Sequence, residues 1–292
     1  MGARLNSHTG YLLGVLCVFL LVAGCSKPAE PPAVGAGPGA NSSAPANDAS
    51  STDPDAPLKA VVAETLAYAE VDDKLVKGHF VFPEDMVEAL PAIILIHEWW
   101  GLNAEMRALA DRYASEGYIV LAIDLFDGET AGTAADARLL MQSVIENPEF
   151  ASENLKQACQ WVLSTTGATQ VATVGYGFGG DWSLTAAIEL PEDVDAAVVF
   201  YGQVSGDEAV LATLNAPVLG LFGGEDGRIP QESIDAMRTA LDNLGKPYEV
   251  EVFPTGKGGF ATPGSRNFNE HLESISWQRL TEFLRKHLVT SG

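Results

Sequence analysis

Short apolar runs alternate with stretches of helical spacing over residues 58–292. Glu64–Val71 and Leu75–Phe82 alternate apolar and polar positions and predict two strands, joined at Asp72-Asp73 as a hairpin. The run PAIILIH, Pro91–His97, is apolar throughout, as a strand buried on both faces must be. Asn103–Gly117 has helical spacing and stops on glycine. Tyr118–Asp124 predicts a second buried strand, and helices follow near 133–145 and 151–164. Thr169–Tyr176 predicts a third buried strand, then a glycine-rich turn and a helix from about 181. Strands are expected at Val194–Tyr201, Pro217–Phe222 and Tyr248–Phe253, with helices at Gln231–Leu244 and Glu270–His287. Strands alternating with helices build parallel β-α-β units, so the expected class is α/β, a doubly wound, mostly parallel sheet with an N-terminal antiparallel hairpin. Ligands of such sheets sit beyond the carboxyl ends of the strands.

The first 57 residues follow neither pattern. Arg4 is the only charge before Lys27, and Tyr11–Ala23 is apolar apart from Gly14. That stretch is short for a bilayer span and suits the apolar segment of a secretory signal. It ends in Leu21-Val22-Ala23-Gly24-Cys25. This resembles the lipobox of bacterial lipoproteins, which implies cleavage after Gly24 and acylation of Cys25. More than one acyl chain is needed for stable anchoring. Ser26, in place of Asp, favours the outer membrane by resemblance to Gram-negative sorting rules. Residues 26–57 hold seven of the 16 prolines and no aromatic, Leu, Ile or Met. Such a segment cannot bury enough surface to offset its ordering entropy and reads as a disordered tether. The expected organisation is therefore a signal at 1–25, a tether at 26–57 and one domain at 58–292, outside the cytoplasm and facing the periplasm or cell surface.

The 292 residues carry 17 basic and 39 acidic side chains, a net charge of −22. Setting aside Arg4, Lys27, Glu30, Asp48, Asp53 and Asp55 leaves 15 bases and 35 acids, so the domain alone carries −20. A surface of that sign repels phosphate backbones, and nucleic acid is not an expected partner. Of the three cysteines, Cys17 leaves with the signal and Cys25 is acylated, so Cys159 has no partner for a disulfide. Its setting, QACQWVL, is that of a buried small hydrophobe.

The third buried strand runs into Gly175-Tyr176-Gly177-Phe178-Gly179-Gly180. Strand, sharp turn and helix are the setting of a nucleophile elbow. A phosphate-cradling loop is the other reading, but no Lys-Ser or Lys-Thr follows and the glycine spacing is not that of a dinucleotide site. An acid, Asp226, lies just past the strand at Pro217–Phe222, and a last loop runs from Phe253 to Pro263. Elbow, acid and last loop in that order match the chain order of α/β-hydrolases.

The segments IHEWWGLN, Gly-Tyr-x-Phe-Gly-Gly, GGEDGRIP and Pro-x-x-x-x-Gly-Phe together resemble the dienelactone hydrolase family over essentially all of 58–292. The resemblance implies an α/β-hydrolase fold and hydrolysis of esters and lactones by a Cys–His–Asp triad with a nearby Glu. Asp226 takes the position of the triad acid and Glu98 that of the Glu. The backbone N–H groups of Trp99 and Phe178 take the oxyanion hole. The nucleophile position is Gly177, and the His position is Gly258. Glycine can neither attack a carbonyl nor move a proton.

Replacements are few. His79 and His287 are far in sequence from the motif loops, His97 is expected to face away as a structural residue, and His271 could reach the pocket rim. Ser183 and Asp181 are expected to cap and pack, with replacement nucleophile as the other reading. Trp99, Trp100 and Trp182 could line the pocket or fill the core, and Arg266 could hold a ligand carboxylate. Glu98, Asp226 and His97 lack the spacing of a metal site, and no metal or other cofactor is expected. The expected function is a membrane-anchored, non-catalytic member of a hydrolase family that binds a small ester, lactone or carboxylate. The alternative is an active ester or lactone hydrolase with displaced catalytic groups, or an inactivated variant of one.

Overall fold

A computed structural model describes residues 59–288. The expected signal, the lipidation site Cys25 and the tether lie outside the described residues. Eight strands form one sheet: β1 (Val61–Val71), β2 (Lys74–Pro83), β3 (Ala92–Ile96), β4 (Ile119–Ile123), β5 (Val171–Tyr176), β6 (Ala196–Phe200), β7 (Val218–Gly223) and β8 (Tyr248–Phe253). Their spatial order is β1-β2-β4-β3-β5-β6-β7-β8. β1, β2 and β4 pair antiparallel, and every pair from β4 to β8 is parallel. Asp72 and Asp73 turn the hairpin at φ 52° and 61°, the backbone sign that a two-residue hairpin turn requires.

The helices are α1 (Ala104–Ser115), α2 (Ala134–Glu146), α3 (Pro148–Thr165), α4 (Phe178–Glu189), α5 (Glu208–Leu211), α6 (Gln231–Leu244) and α7 (Glu270–His287). Successive side chains of a strand point to opposite faces. Ile93 and Leu95 therefore pack with Met106 and Leu109 of α1 and Phe283 of α7, whereas Ile94 and Ile96 pack with Leu155 of α3 and Met237 of α6. All residues of β3, β4, β5, β6 and β7 are buried, which is why those runs lack polar alternation. Cys159 lies within this core, and burial pushes its thiol up to about 12. None of the described helices is long and apolar enough to cross a membrane.

Two boundaries differ from expectation. α4 begins at Phe178 rather than near 181, because the turn is tighter than its glycines suggest. A Cβ on Gly179 would overlap the carbonyl of Ile96 and sit 2.6 Å from that of His97. The helix N-terminus is thus pressed against the carboxyl end of β3. α5 was not expected, since four residues carry no periodicity; Asp207 caps it by accepting from Ala209 N–H at 2.9 Å.

His97 latches the end of β3 to that of β4. Its Nδ1–H donates to the Glu98 carbonyl (2.7 Å), and its Nε2 accepts from Leu125 N–H (3.0 Å). Asp124 Oδ1 lies 3.6 Å from the same Nε2.

These contacts separate two kinds of glycine. Gly177 has φ 55°, and a Cβ there meets nothing closer than 3.8 Å. Gly177→Ala is expected to cost about 1–3 kcal/mol of backbone strain. Gly179→Ala is expected to cost more than about 4 kcal/mol, because backbone must move. Urea denaturation of both variants checks the ranking.

Candidate functional site

The carboxyl ends of β3, β5, β6 and β7 open into a cavity of about 880 Å³. Each strand delivers one part of it. β3 leads into Glu98, Trp99 and Trp100, β5 into Gly177 and Phe178, β6 into Tyr201 and Gln203, and β7 into Glu225, Asp226 and Arg228. The loop after β8 adds Gly258 and Thr262, and α2 contributes Arg138 and Met141 to the rim.

Gly177 ends the strand with its N–H donating to the Phe200 carbonyl (2.9 Å) and its own carbonyl accepting from Gly180 N–H (2.8 Å). The missing side chain would point at Glu98: Oε1, Cγ and Cδ of Glu98 are 3.8, 3.9 and 4.0 Å from an ideal Cβ. The expected nucleophile position is thus an open slot facing a carboxyl group. Phe178 is the first residue of α4, so its N–H has no acceptor within the helix. Trp99 N–H makes no backbone hydrogen bond either. Both expected oxyanion-hole residues line the cavity.

Glu98 is buried, and burial, the largest influence, raises its carboxyl above the usual range. Thr262 Oγ1 donates to Glu98 Oε1 (2.9 Å), and Tyr201 OH lies 2.6 Å from the same Thr262 oxygen. With the Thr262 proton committed to Glu98, Tyr201 must donate to Thr262. This relay from Tyr201 through Thr262 to Glu98 was not visible in the sequence. Tyr201 has φ 40°, unusual for a non-glycine residue, and its position on the strand-end turn brings the hydroxyl back over the slot.

Asp226 is also buried, at 8% exposure. Its Oδ1 accepts from Arg228 N–H (3.0 Å) and lies 3.5 Å from Arg228 Nε, while its Oδ2 has no hydrogen-bond partner. An imidazole at 258 would supply a donor there. The space is taken instead: a Cβ on Gly258 would overlap Arg228 Nη2 and lie 2.5 Å from Asp226 Oδ2. Asn267 Nδ2 donates to the Gly258 carbonyl (2.8 Å) and holds the loop in that place. Arg228 was the main residue that sequence reasoning missed. Its signal was its place two residues past Asp226, where the backbone folds back onto the carboxylate.

No histidine lines the cavity. His271 is exposed on α7, His79 pairs with Asp111 (2.9 Å), and His287 packs against Phe283 with burial lowering its pKa. Ser183 is buried away from the cavity and donates to Thr173 Oγ1 (3.0 Å). Trp99 and Trp100 line the cavity with ring centroids 4.9 Å apart. Trp182 does not; it packs edge-on against Phe178 in the core, because α4 begins earlier than expected and turns this face inward. Arg266 lines the cavity with no carboxylate within 4.0 Å among the described residues. Among those residues no group of three His, Cys, Asp or Glu side chains could hold a metal.

Asp181, expected to cap and pack, lines the cavity from the first turn of α4. It accepts from Gln203 N–H. Burial raises its pKa to about 7 against the backbone bond and Arg228, which lower it.

The family model for the dienelactone hydrolase family matches residues 76–288. A Salmonella typhimurium protein named "Putative carboxymethylenebutenolidase" is 30% identical over 223 residues, 72% of this chain and 82% of the relative. An Escherichia coli protein of the same name is 29% identical over 79% of this chain and 89% of its own length. Among solved structures, dienelactone hydrolase from Anabaena variabilis is similar over 78% of this chain and 99% of that one, with 22% identity and a TM-score of 0.59. A dienelactone hydrolase-like promiscuous phosphotriesterase from metagenomic libraries covers the same shares at 20% identity and a TM-score of 0.72.

Asp181 generates a pH prediction. Its folded pKa lies above that of the unfolded chain, so folding is penalised progressively as pH rises from about 4 through 7. Because the side chain is only partly enclosed, the penalty is discounted to on the order of 2 kcal/mol. Asp181→Asn keeps the acceptor for Gln203. It is expected to be more stable than the native chain by that amount above pH 8, with the gap narrowing steadily below pH 7. Chemical denaturation of both proteins between pH 5 and 8.5 checks this.

Proposed function

The chain belongs to the dienelactone hydrolase family, and from that premise we propose that its cavity binds a small ester, lactone or carboxylate without turning it over. One observation carries this reading. Gly177 and Gly258 stand at the nucleophile and base positions, and Arg228 occupies the space a base would need. Acyl transfer by the family route needs a side chain to attack the carbonyl and another to move the proton. Loss of either costs many powers of ten, leaving only what binding and the oxyanion donors supply. The binding parts remain on this reading: the free amides of Phe178 and Trp99, the aromatic wall of Trp99 and Trp100, and Arg266 at the rim. The alternative of displaced catalytic groups is less favoured, since among the described residues no histidine lines the cavity.

We also propose that the protein is a lipoprotein, acylated at Cys25 and held outside the cytoplasm by the proline-rich tether. The apolar run, the Leu-Val-Ala-Gly-Cys sequence and the tether composition support this. Cys25→Ser is expected to abolish incorporation of labelled palmitate and to move the protein from the membrane fraction to the soluble one.

The site makes a sharper prediction about restoring chemistry. Gly177→Cys fits its slot. Gly258→His meets both Arg228 Nη2 and Asp226 Oδ2, so it fits only if Arg228 is removed and the Asp226 carboxylate turns aside. The double variant is therefore expected to stay near background on aryl esters and lactones, and adding Arg228→Ala should raise the rate by at least about tenfold over the double variant. The native chain should show no turnover of p-nitrophenyl acetate. Native turnover that disappears in Asp226→Ala would overturn the non-catalytic reading.

A further inference from the structure

We infer that Arg228 makes the centre of the cavity a site for a small carboxylate, bound where a hydrolase would hold its substrate's reacting carbonyl. The inference rests on the binding reading above and assigns the ligand's charge and the group that reads it.

The argument starts from the charges that face the cavity. Asp226 accepts from the backbone and guanidinium of Arg228. Glu225 lies 3.7 Å from Lys257. Burial moves Glu98 and Asp181 toward their neutral forms. Among the described residues, Arg138 and Arg266 have no carboxylate within 4.0 Å, and at the rim they outnumber the one further acid, Glu105. In a domain that carries −20 overall, the cavity lining is nearly balanced, with four basic side chains facing five acids.

Arg228 is the guanidinium nearest the reacting position. Its Nη2 reaches the space that a Cβ on Gly258 would fill, and its side chain remains 58% exposed toward the cavity. Its one side-chain hydrogen bond among the described residues is from Nε to Asp226, at 3.5 Å, so the outer N–H groups are available. A guanidinium presents parallel donors in a plane that matches a carboxylate and no neutral ester oxygen. Gly177 leaves the slot beside it open, with nothing closer than 3.8 Å to the absent Cβ. Phe178 and Trp99 line the same cavity. Asp226 holds the guanidinium in place through its own neighbour's backbone. The site thus favours a ligand that already bears the negative charge over one that would develop it during reaction.

The test compares phenylacetate with its neutral isostere phenylacetamide, each titrated into the folded protein at pH 6.5 and followed by calorimetry and by ligand-observed NMR. The native chain is expected to bind phenylacetate at least tenfold more tightly. Arg228→Gln should erase that preference while leaving weak phenylacetamide binding unchanged. Arg228→Lys should retain part of it, because charge remains while the planar fork is lost. Removal of Arg228 alone strands Asp226 in the interior and can unfold the loop. The Asp226→Asn/Arg228→Gln double variant avoids this and should also lose the preference. Equal binding of both probes, a preference that survives in Arg228→Gln or the double variant, or no binding of phenylacetate at 50 mM would overturn the inference. Hydrolysis of phenyl acetate by the native chain in the same buffer would instead overturn the non-catalytic reading, and the carboxylate preference would then be read as product binding.

Discussion

The approach of α4 to the carboxyl end of β3 is the constraint on which the rest of the site depends. The N-terminus of the helix sits so close to the Ile96 and His97 carbonyls that no side chain fits at Gly179. This closeness forces the strand-to-helix turn into a single residue, Gly177, at a φ that side chains resist. It also turns the Phe178 amide toward the same space that Glu98 faces. The latch made by His97 between the ends of β3 and β4 keeps the β3 carbonyls in register with the turn. Slot, amides and carboxyl group are therefore consequences of one packing contact, and they persist whether or not residue 177 carries a reactive atom.

The two glycines have met different fates within that frame. At 177 the strained turn remains and the space stays open, because the nearest atoms belong to Glu98, whose carboxyl group is held by the Thr262–Tyr201 relay. At 258 the neighbours are side chains, and they have closed. Arg228 is anchored by its own N–H to Asp226 and swings its guanidinium into the vacancy. An unpaired buried carboxylate is costly, so a nearby cation gains more by filling the gap than by staying in water. Among the described residues one Asp226 oxygen is still without a hydrogen bond, which marks the compensation as partial.

Much of the frame was legible in the sequence. Apolar runs without alternation identified β3, β4, β5, β6 and β7, since strands buried on both faces have no polar period. Asp72-Asp73 identified the hairpin, and Gln231–Leu244, Tyr248–Phe253 and Glu270–His287 agree with the observed bounds of α6, β8 and α7. The start of α4 was not legible, because glycines lower helix propensity and the reason for them is contact with another strand. The motif segments identified Glu98, Gly177, Asp226 and Gly258 as neighbours, and all four line one cavity. Arg228, Tyr201 and the position of Asp181 were hidden for a common reason. Each matters through a side-chain direction set by a turn, and spacing along the chain carries no such direction.

The same geometry bears on how such a site can change. The expected oxyanion donors are backbone groups and are not removed by substitution at their own positions, so a capacity to hold a negatively charged oxygen does not depend on the reactive side chains. What substitution can alter is which charge the ligand must bring. A neutral carbonyl suits the donors only if a nucleophile then drives charge onto its oxygen. Without that nucleophile the donors, and a guanidinium beside them, are better matched to an oxygen that is charged from the start. On the reading proposed above, glycine at 177 and 258 shifts the preference of the cavity from ester toward acid, and Arg228 adds to that shift.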